Sequence, residues 1–115
     1  MQDEDLTGYG MSELQKQGPG IEEIIGDKRA QIIALAARYG ANNVRVFGSV
    51  ARGEATPDSD VGLLVDQDWS RLSGWGGMEL VVALEELLGR RVDIATEEEL
   101  RPRIKAYVLR EAVPL

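Results

Sequence analysis

The residues that could do chemistry lie in one stretch and one later strand candidate: GSVARGEATPDSDVGLLVD, Gly48 to Asp66, and VDIA, Val92 to Ala95. Gly48-Ser49 follows the apolar run VRVF. A glycine at such a point lets the backbone approach a phosphate, and a serine adds a hydroxyl and an N–H for phosphate oxygens. Asp60 opens the next apolar run, and Asp93 lies inside VDIA. Residues i and i+2 of a strand share a face, so Asp60 and position 62 point the same way. Asp93 joins them if its strand lies beside Val61–Val65. Carboxylates so placed can hold two Mg²⁺ ions against a nucleoside triphosphate. Such transfer depends mostly on positioning and charge neutralisation. Position 62, where a second carboxylate would complete the site, is Gly62.

The rest of the composition narrows the chemistry further. The chain has no histidine and no cysteine. That excludes Ser-His-Asp triads, His- or Cys-ligated zinc and disulfides. Acid–base or metal chemistry must rest mainly on carboxylates, which suit hard ions such as Mg²⁺. The 115 residues, 43% of them hydrophobic, fit one small domain. No apolar run approaches the ~20 residues of a membrane span. The acidic start MQDEDLTGYG does not read as a signal or transit peptide. These features are compatible with the cytoplasm. The net charge of −7 repels a long polyanion, so direct nucleic-acid binding is not expected. A nucleotide carrying its own Mg²⁺ is less affected, and a basic protein partner is favoured.

The elements that must position these residues can be read from periodicity. Residues 1–20, with Gly8, Gly10, Gly18, Pro19 and Gly20, read as a flexible tail with one helical turn near Met11 to Gln17. Ile24, Ile25, Ile32, Ile33, Leu35, Ala36 and Tyr39 recur at helical spacing, with Asp27 as N-cap of the second part and Gly40 as its stop. Val44–Phe47 reads as a strand, Val50–Gly53 as a helical turn and EATPDS as a turn. DVGLLVD is the next strand, residues 66–77 a loop, and Leu80, Val81, Leu84, Leu87 and Leu88 a core-facing helical stripe ending at Gly89. RRVDIAT is a third strand. Thr96 caps Glu97-Glu98-Glu99, and a C-terminal helix follows. The expected fold is α/β (α+β), a small mixed β-sheet flanked by helices, occupying residues 21–115.

The spacing Gly48-Ser49, ten residues, Asp60-x-Gly62 resembles the Gly-Ser, ten residues, Asp-x-Asp pattern of DNA polymerase β-type nucleotidyltransferases. Asp93 stands where that fold supplies its third carboxylate. The ARGEATPDSD segment and the LLGRRVDIAT…LREAVPL ending look more narrowly like minimal nucleotidyltransferase antitoxins, over roughly Ile21 to Leu115. The resemblance implies an antitoxin paired with a HEPN-type toxin, which moves AMP from ATP to a tyrosine of the toxin with Mg²⁺. It also implies an assembly with the toxin or with further copies of the chain. On that carry-over Gly48 and Ser49 hold phosphates and Arg52 contacts phosphate or nucleotide. Asp60 and Asp93 bind metal, and Asp93 is the candidate base.

Gly62 departs from the pattern. A glycine has no ligand atom, and loss of a direct metal ligand should cost more than the ~10–100-fold that follows loss of a supporting residue. Asp66 shares the parity of Asp60 but lies ~13 Å along the strand, too far to substitute; Asp58, in the turn, is a weaker substitute. Three readings stay open: a natural chain acting by binding, a variant of an active chain, and weak one-metal activity. At the level of function the alternatives are a non-catalytic module that neutralises a toxin by contact and a nucleotidyltransferase acting on a small molecule. The bland reading makes Gly48-Ser49 a strand exit, Asp60 a turn residue, Asp93 a solvated side chain and Arg52 a salt-bridged arginine. Trp69 and Trp75 either anchor a partner or cover a sheet edge.

Overall fold

The computed structural model describes residues 18–71 and 77–115. Strand β2, Val61–Gln67, is its centre. Its run Val61–Val65 is buried throughout, as the uninterrupted apolar sequence requires of a strand covered on both faces. On one side β2 pairs antiparallel with β1, Ala41–Phe47, and on the other it pairs parallel with β3, Val92–Ala95. A two-residue strand β4, Val113–Pro114, adds antiparallel to β1, giving the order β3–β2–β1–β4. The expected small mixed sheet with flanking helices is therefore the fold.

Helix α1 spans Ile21–Ile24 and is followed by a 3₁₀ turn, Gly26–Lys28, and helix α2, Arg29–Arg38. Helix α2 buries Ile32 and Ala36, one turn apart. Helix α3 is the single turn Ser49–Arg52. Helix α4, Met78–Leu88, buries Leu80 and Leu84 and makes the crossover that parallel strands β2 and β3 need. It ends at Gly89. These faces meet Val44, Val46, Val61, Leu63, Val65 and Val92 in one apolar cluster. Leu64, also fully buried, alternates to the opposite face and lies outside that cluster, as does Val108 of helix α5, Pro102–Glu111.

Several local expectations change. Asp27 sits inside the 3₁₀ turn, and Lys28 takes the cap position of α2 without a side-chain hydrogen bond. Gly40 does follow the helix end, with φ 81°. Strand β1 begins at Ala41, three residues before VRVF, because a bulge between Asn42 and Arg45 absorbs the polar residues; Asn43 has φ 52° there. Strand β2 starts at Val61, so Asp60 immediately precedes it. It runs through Gln67, and Trp69–Arg71 form a 3₁₀ turn where a loop was expected. The short turn after Thr96 and the C-terminal helix are separate, as expected; the turn, Glu97–Glu99, is 3₁₀, Glu99 Oε1 accepts the Thr96 N–H at 3.0 Å, and α5 starts at Pro102. Strand β4 has no sequence signal, being two exposed residues paired through backbone alone. The tail 1–17, its helical turn and Trp75 lie outside the described residues. Gly18–Gly20, placed with the tail from sequence, are tied to the domain: Ala55 N–H donates to Pro19 O at 3.1 Å and Gly18 N–H to Gly53 O at 3.3 Å.

Leu84 is 1% exposed and Val82, two residues earlier on the same helix, is 46% exposed. Leu84→Ala should therefore cost about 2–5 kcal/mol in urea unfolding, and Val82→Ala should stay within about 0.5 kcal/mol.

Candidate active site

The site begins where β1 turns into α3. Gly48 adopts φ 83° and ψ −159°, a region that side chains avoid, so the turn from strand to helix needs glycine here. A Cβ on Gly48 would meet no neighbour, which makes the requirement conformational and not steric. Ser49 opens α3; its side-chain hydroxyl has no hydrogen-bond partner among the described residues. Helix α3 stops at Gly53, and Glu54 N–H donates to Ser49 O at 2.9 Å.

The turn before β2 is held from both sides. Thr56 N–H donates to Ser59 Oγ at 2.8 Å, and Ser59 N–H returns to Thr56 O at 3.0 Å. Arg90 Nη1 donates to Thr56 O at 2.8 Å and to Ser59 O at 3.1 Å. Val61 N–H then donates to Arg91 O at 2.9 Å. Asp60 is thus fixed at the mouth of β2 by backbone geometry on each side. Its Oδ1 lies 3.1 Å from Arg91 Nε, in a solvent-exposed pair that contributes little to stability.

Strand register assembles the rest. Gly62 is the Cα partner of Phe47 on one side and of Asp93 on the other. Phe47, Gly62 and Asp93 therefore form one row across one face of the sheet, and Asp60 belongs to that face by its i, i+2 relation to Gly62. The sequence condition that β3 lie beside β2 is met. Asp93 is exposed and has no hydrogen-bond or ion-pair partner among the described residues. Asp66, in contrast, is committed: Arg45 Nη2 donates to its Oδ1 at 2.9 Å and Asn43 Nδ2 to its Oδ2 at 3.1 Å. Arg45 also reaches Glu97 Oε2 at 3.2 Å. Asp58 stays exposed in the turn, where its N–H donates to Thr56 Oγ1 at 3.3 Å.

The aromatic ring of Phe47 covers Gly62. A Cβ at position 62 would stand 3.0 Å from ring atoms Cε2 and Cζ and 3.1 Å from Phe47 O. The ring can swing, because its far edge makes the contact, but the carbonyl belongs to β1. Glycine thus removes a ligand atom and also admits the ring.

Two carboxylates remain, and the described residues contain no group of three acidic side chains close enough to hold a metal. The pair still fits Mg²⁺ bound with a nucleotide. That ion keeps several waters and commonly takes one or two carboxylates plus substrate phosphates.

Sequence reasoning did not mark Phe47, Arg90, Arg91 or Glu111. Glu111, at the end of α5, accepts Gly48 N–H at 2.6 Å through Oε2 and Arg52 Nη1 at 2.6 Å through Oε1. Arg52 also donates through Nε to Glu54 at 3.0 Å. The hydrogen bond to Glu111 and then that to Glu54 hold the Arg52 guanidinium well above its ordinary pKa, so it stays charged. Arg91 had a signal: it shares strand parity with Asp93. Glu111 had none. A cavity of about 650 Å³ opens elsewhere, between Gly18–Glu23 and α3. Gly48, Ser49, Asp60 and Asp93 do not line it.

The comparisons identify this mixed four-stranded sheet with its flanking helices as a nucleotidyltransferase fold. The model of the nucleotidyltransferase domain family matches residues 29–115, and the chain belongs to that family. Its relatives include the protein adenylyltransferase MntA of Thermococcus cleftensis, 43% identical over 94 residues, covering 81% of this chain and 93% of that protein. Another, from Methanocaldococcus jannaschii and provisionally named a protein adenylyltransferase, is 34% identical and covers 77% of this chain and 95% of the relative. A solved structure described as a minimal nucleotidyltransferase superposes with a TM-score of 0.71 at 50% identity, over 81% of this chain and 94% of that one. A toxin–antitoxin structure with AMP-PNP shares the fold, with a TM-score of 0.63 at 21% identity over 75% of this chain and 70% of that one.

The backbone at Gly48 sets one expectation. Gly48→Ala should lower stability by about 1–3 kcal/mol, read by urea unfolding, because alanine must adopt a conformation that is essentially glycine-only.

Proposed function

We propose that this chain is the antitoxin member of a HEPN/minimal-nucleotidyltransferase pair, built to move AMP from ATP to a tyrosine of the toxin and impaired in that step by Gly62. The observation that carries the reading is the row Phe47–Gly62–Asp93 beside Asp60. It has the layout of a carboxylate site, with glycine at the position between the two acids. Support for the acceptor class comes from relatives named as protein adenylyltransferases and from toxin–antitoxin pairs of the same fold.

In this reading Gly48, Ser49 and Arg52 hold the triphosphate. The free Ser49 hydroxyl and the permanently charged Arg52 suit phosphate oxygens. Asp60 and Asp93 would hold Mg²⁺, which supplies neutralisation of the triphosphate charge. The acceptor tyrosine oxygen attacks the α-phosphorus. An oxygen–phosphorus bond forms, the bond to the β-phosphate oxygen breaks, and pyrophosphate leaves. The phenolic proton passes to Asp93, whose carboxylate is exposed and unpaired and so accessible to an incoming hydroxyl. The exposed pair of Asp60 Oδ1 with Arg91 Nε is weak, so a metal ion would displace it at little cost.

The Phe47 ring over Gly62 favours a second reading, in which the chain neutralises its toxin by contact alone. The net charge of −7 suits a basic protein partner. Among the described residues no helix is long and apolar enough to cross a membrane.

Labelled ATP, Mg²⁺ and a HEPN toxin separate the two. Gly62→Asp should raise label on the toxin about a hundred- to thousand-fold. It should also lower stability by about 1–2 kcal/mol, since Phe47 must move aside. Adding Asp93→Asn should erase the gain. Equal label from the unmodified chain and Gly62→Asp would refute the impairment. Full toxin inhibition without label in either would establish contact alone.

A further inference from the structure

The Gly48 turn and Arg52 are already occupied by an anion from the chain itself. Glu111 takes the Gly48 N–H and the Arg52 guanidinium, both at 2.6 Å, and its side chain is only 11% exposed. Glu54 takes a second edge of the same guanidinium. One positive charge therefore faces two carboxylates, and the balance at the turn is about −1 at neutral pH. A phosphate approaching these donors meets repulsion, and the best-aligned donors are already in use. Glu111 is also held firmly. It ends α5 just before β4, whose Val113 pairs with Val46, and Leu115 N–H donates to Val44 O at 3.0 Å. The glutamate is thus anchored to β1, the strand that carries the turn.

We infer that Glu111 is a built-in phosphate substitute: it keeps the Gly48 turn and Arg52 ordered without nucleotide, and triphosphate binding must displace its carboxylate. The inference rests on the reading of Gly48 and Arg52 as phosphate holders and adds the residue that competes for them. Because Glu111 terminates α5, displacement links the nucleotide turn to that helix. Helix α5 presents Ile104, Tyr107 and Leu109 to solvent. Glu54, about half exposed, competes less.

The test is titration of Mg²⁺–pyrophosphate and Mg²⁺–ATP into the full chain and its Glu111→Gln variant, by calorimetry and by the Gly48 amide resonance. Glutamine keeps the shape and an acceptor for Gly48 but removes the charge. Competition requires affinity about 3- to 10-fold tighter in Glu111→Gln, with the Gly48 amide moving on titration and a smaller gain in Glu54→Gln. In the unmodified chain, which needs no variant to fold, the Glu111 side-chain carboxyl carbon must shift as pyrophosphate saturates. Unchanged or weaker affinity in Glu111→Gln, with the Gly48 amide still responding, overturns the competition and leaves the turn as a phosphate site. A Gly48 amide that ignores saturating probe in both proteins overturns the phosphate-holding reading as well.

Discussion

Everything at the site depends on the hydrogen-bonded register of β2 between β1 and β3. That register makes Gly62 the common neighbour of Phe47 and Asp93. A slip of one residue would send Asp93 to the opposite face, against the apolar cluster of Val61, Leu63 and Val65. An unpaired carboxylate there would be expensive. The core thus enforces the site: the residues that must be buried on one face decide which residues are presented on the other.

Local devices then refine what the register places. The Thr56–Ser59 turn, gripped by Arg90 through two backbone carbonyls, delivers Asp60 to the mouth of β2. The glycine-only conformation of Gly48 turns β1 into α3 and leaves the Ser49 hydroxyl free. Arg45, only 11% exposed, joins Asp66 and Glu97 one row further along the face. Asp66 is thereby held to structural partners and kept from the carboxylate pair. Of Asp60, Asp66 and Asp93, only Asp93 has no ion partner among the described residues.

At Gly62 and at the Gly48 turn alike, a side chain from another element fills the local space or the local hydrogen bonds. At Gly62 an aromatic ring takes the space of a missing side chain. At the Gly48 turn the Glu111 carboxylate accepts from both the Gly48 N–H and the Arg52 guanidinium. Both contacts are favourable locally, since unsatisfied donors and empty space each cost stability.

The sequence by itself determined the kind of chemistry and the local elements. Without histidine or cysteine, acid–base or metal chemistry has to rest mainly on carboxylates. The strands around VRVF, GLLV and VDIA were legible as short apolar runs and the α4 stripe by its helical period, while the spacing from Gly48-Ser49 to Asp60 was legible only as a family pattern. The cap of α2 and the start of β1 were misread because a 3₁₀ turn and a bulge interrupt those periods. Tertiary structure alone decided that Phe47 covers Gly62, that Val113–Pro114 forms an edge strand and that Glu111 enters the turn. Gly48 and Glu111 are 63 residues apart, and no local pattern relates them. Their meeting follows from α5 ending where β4 pairs with β1, a consequence of packing the whole sheet.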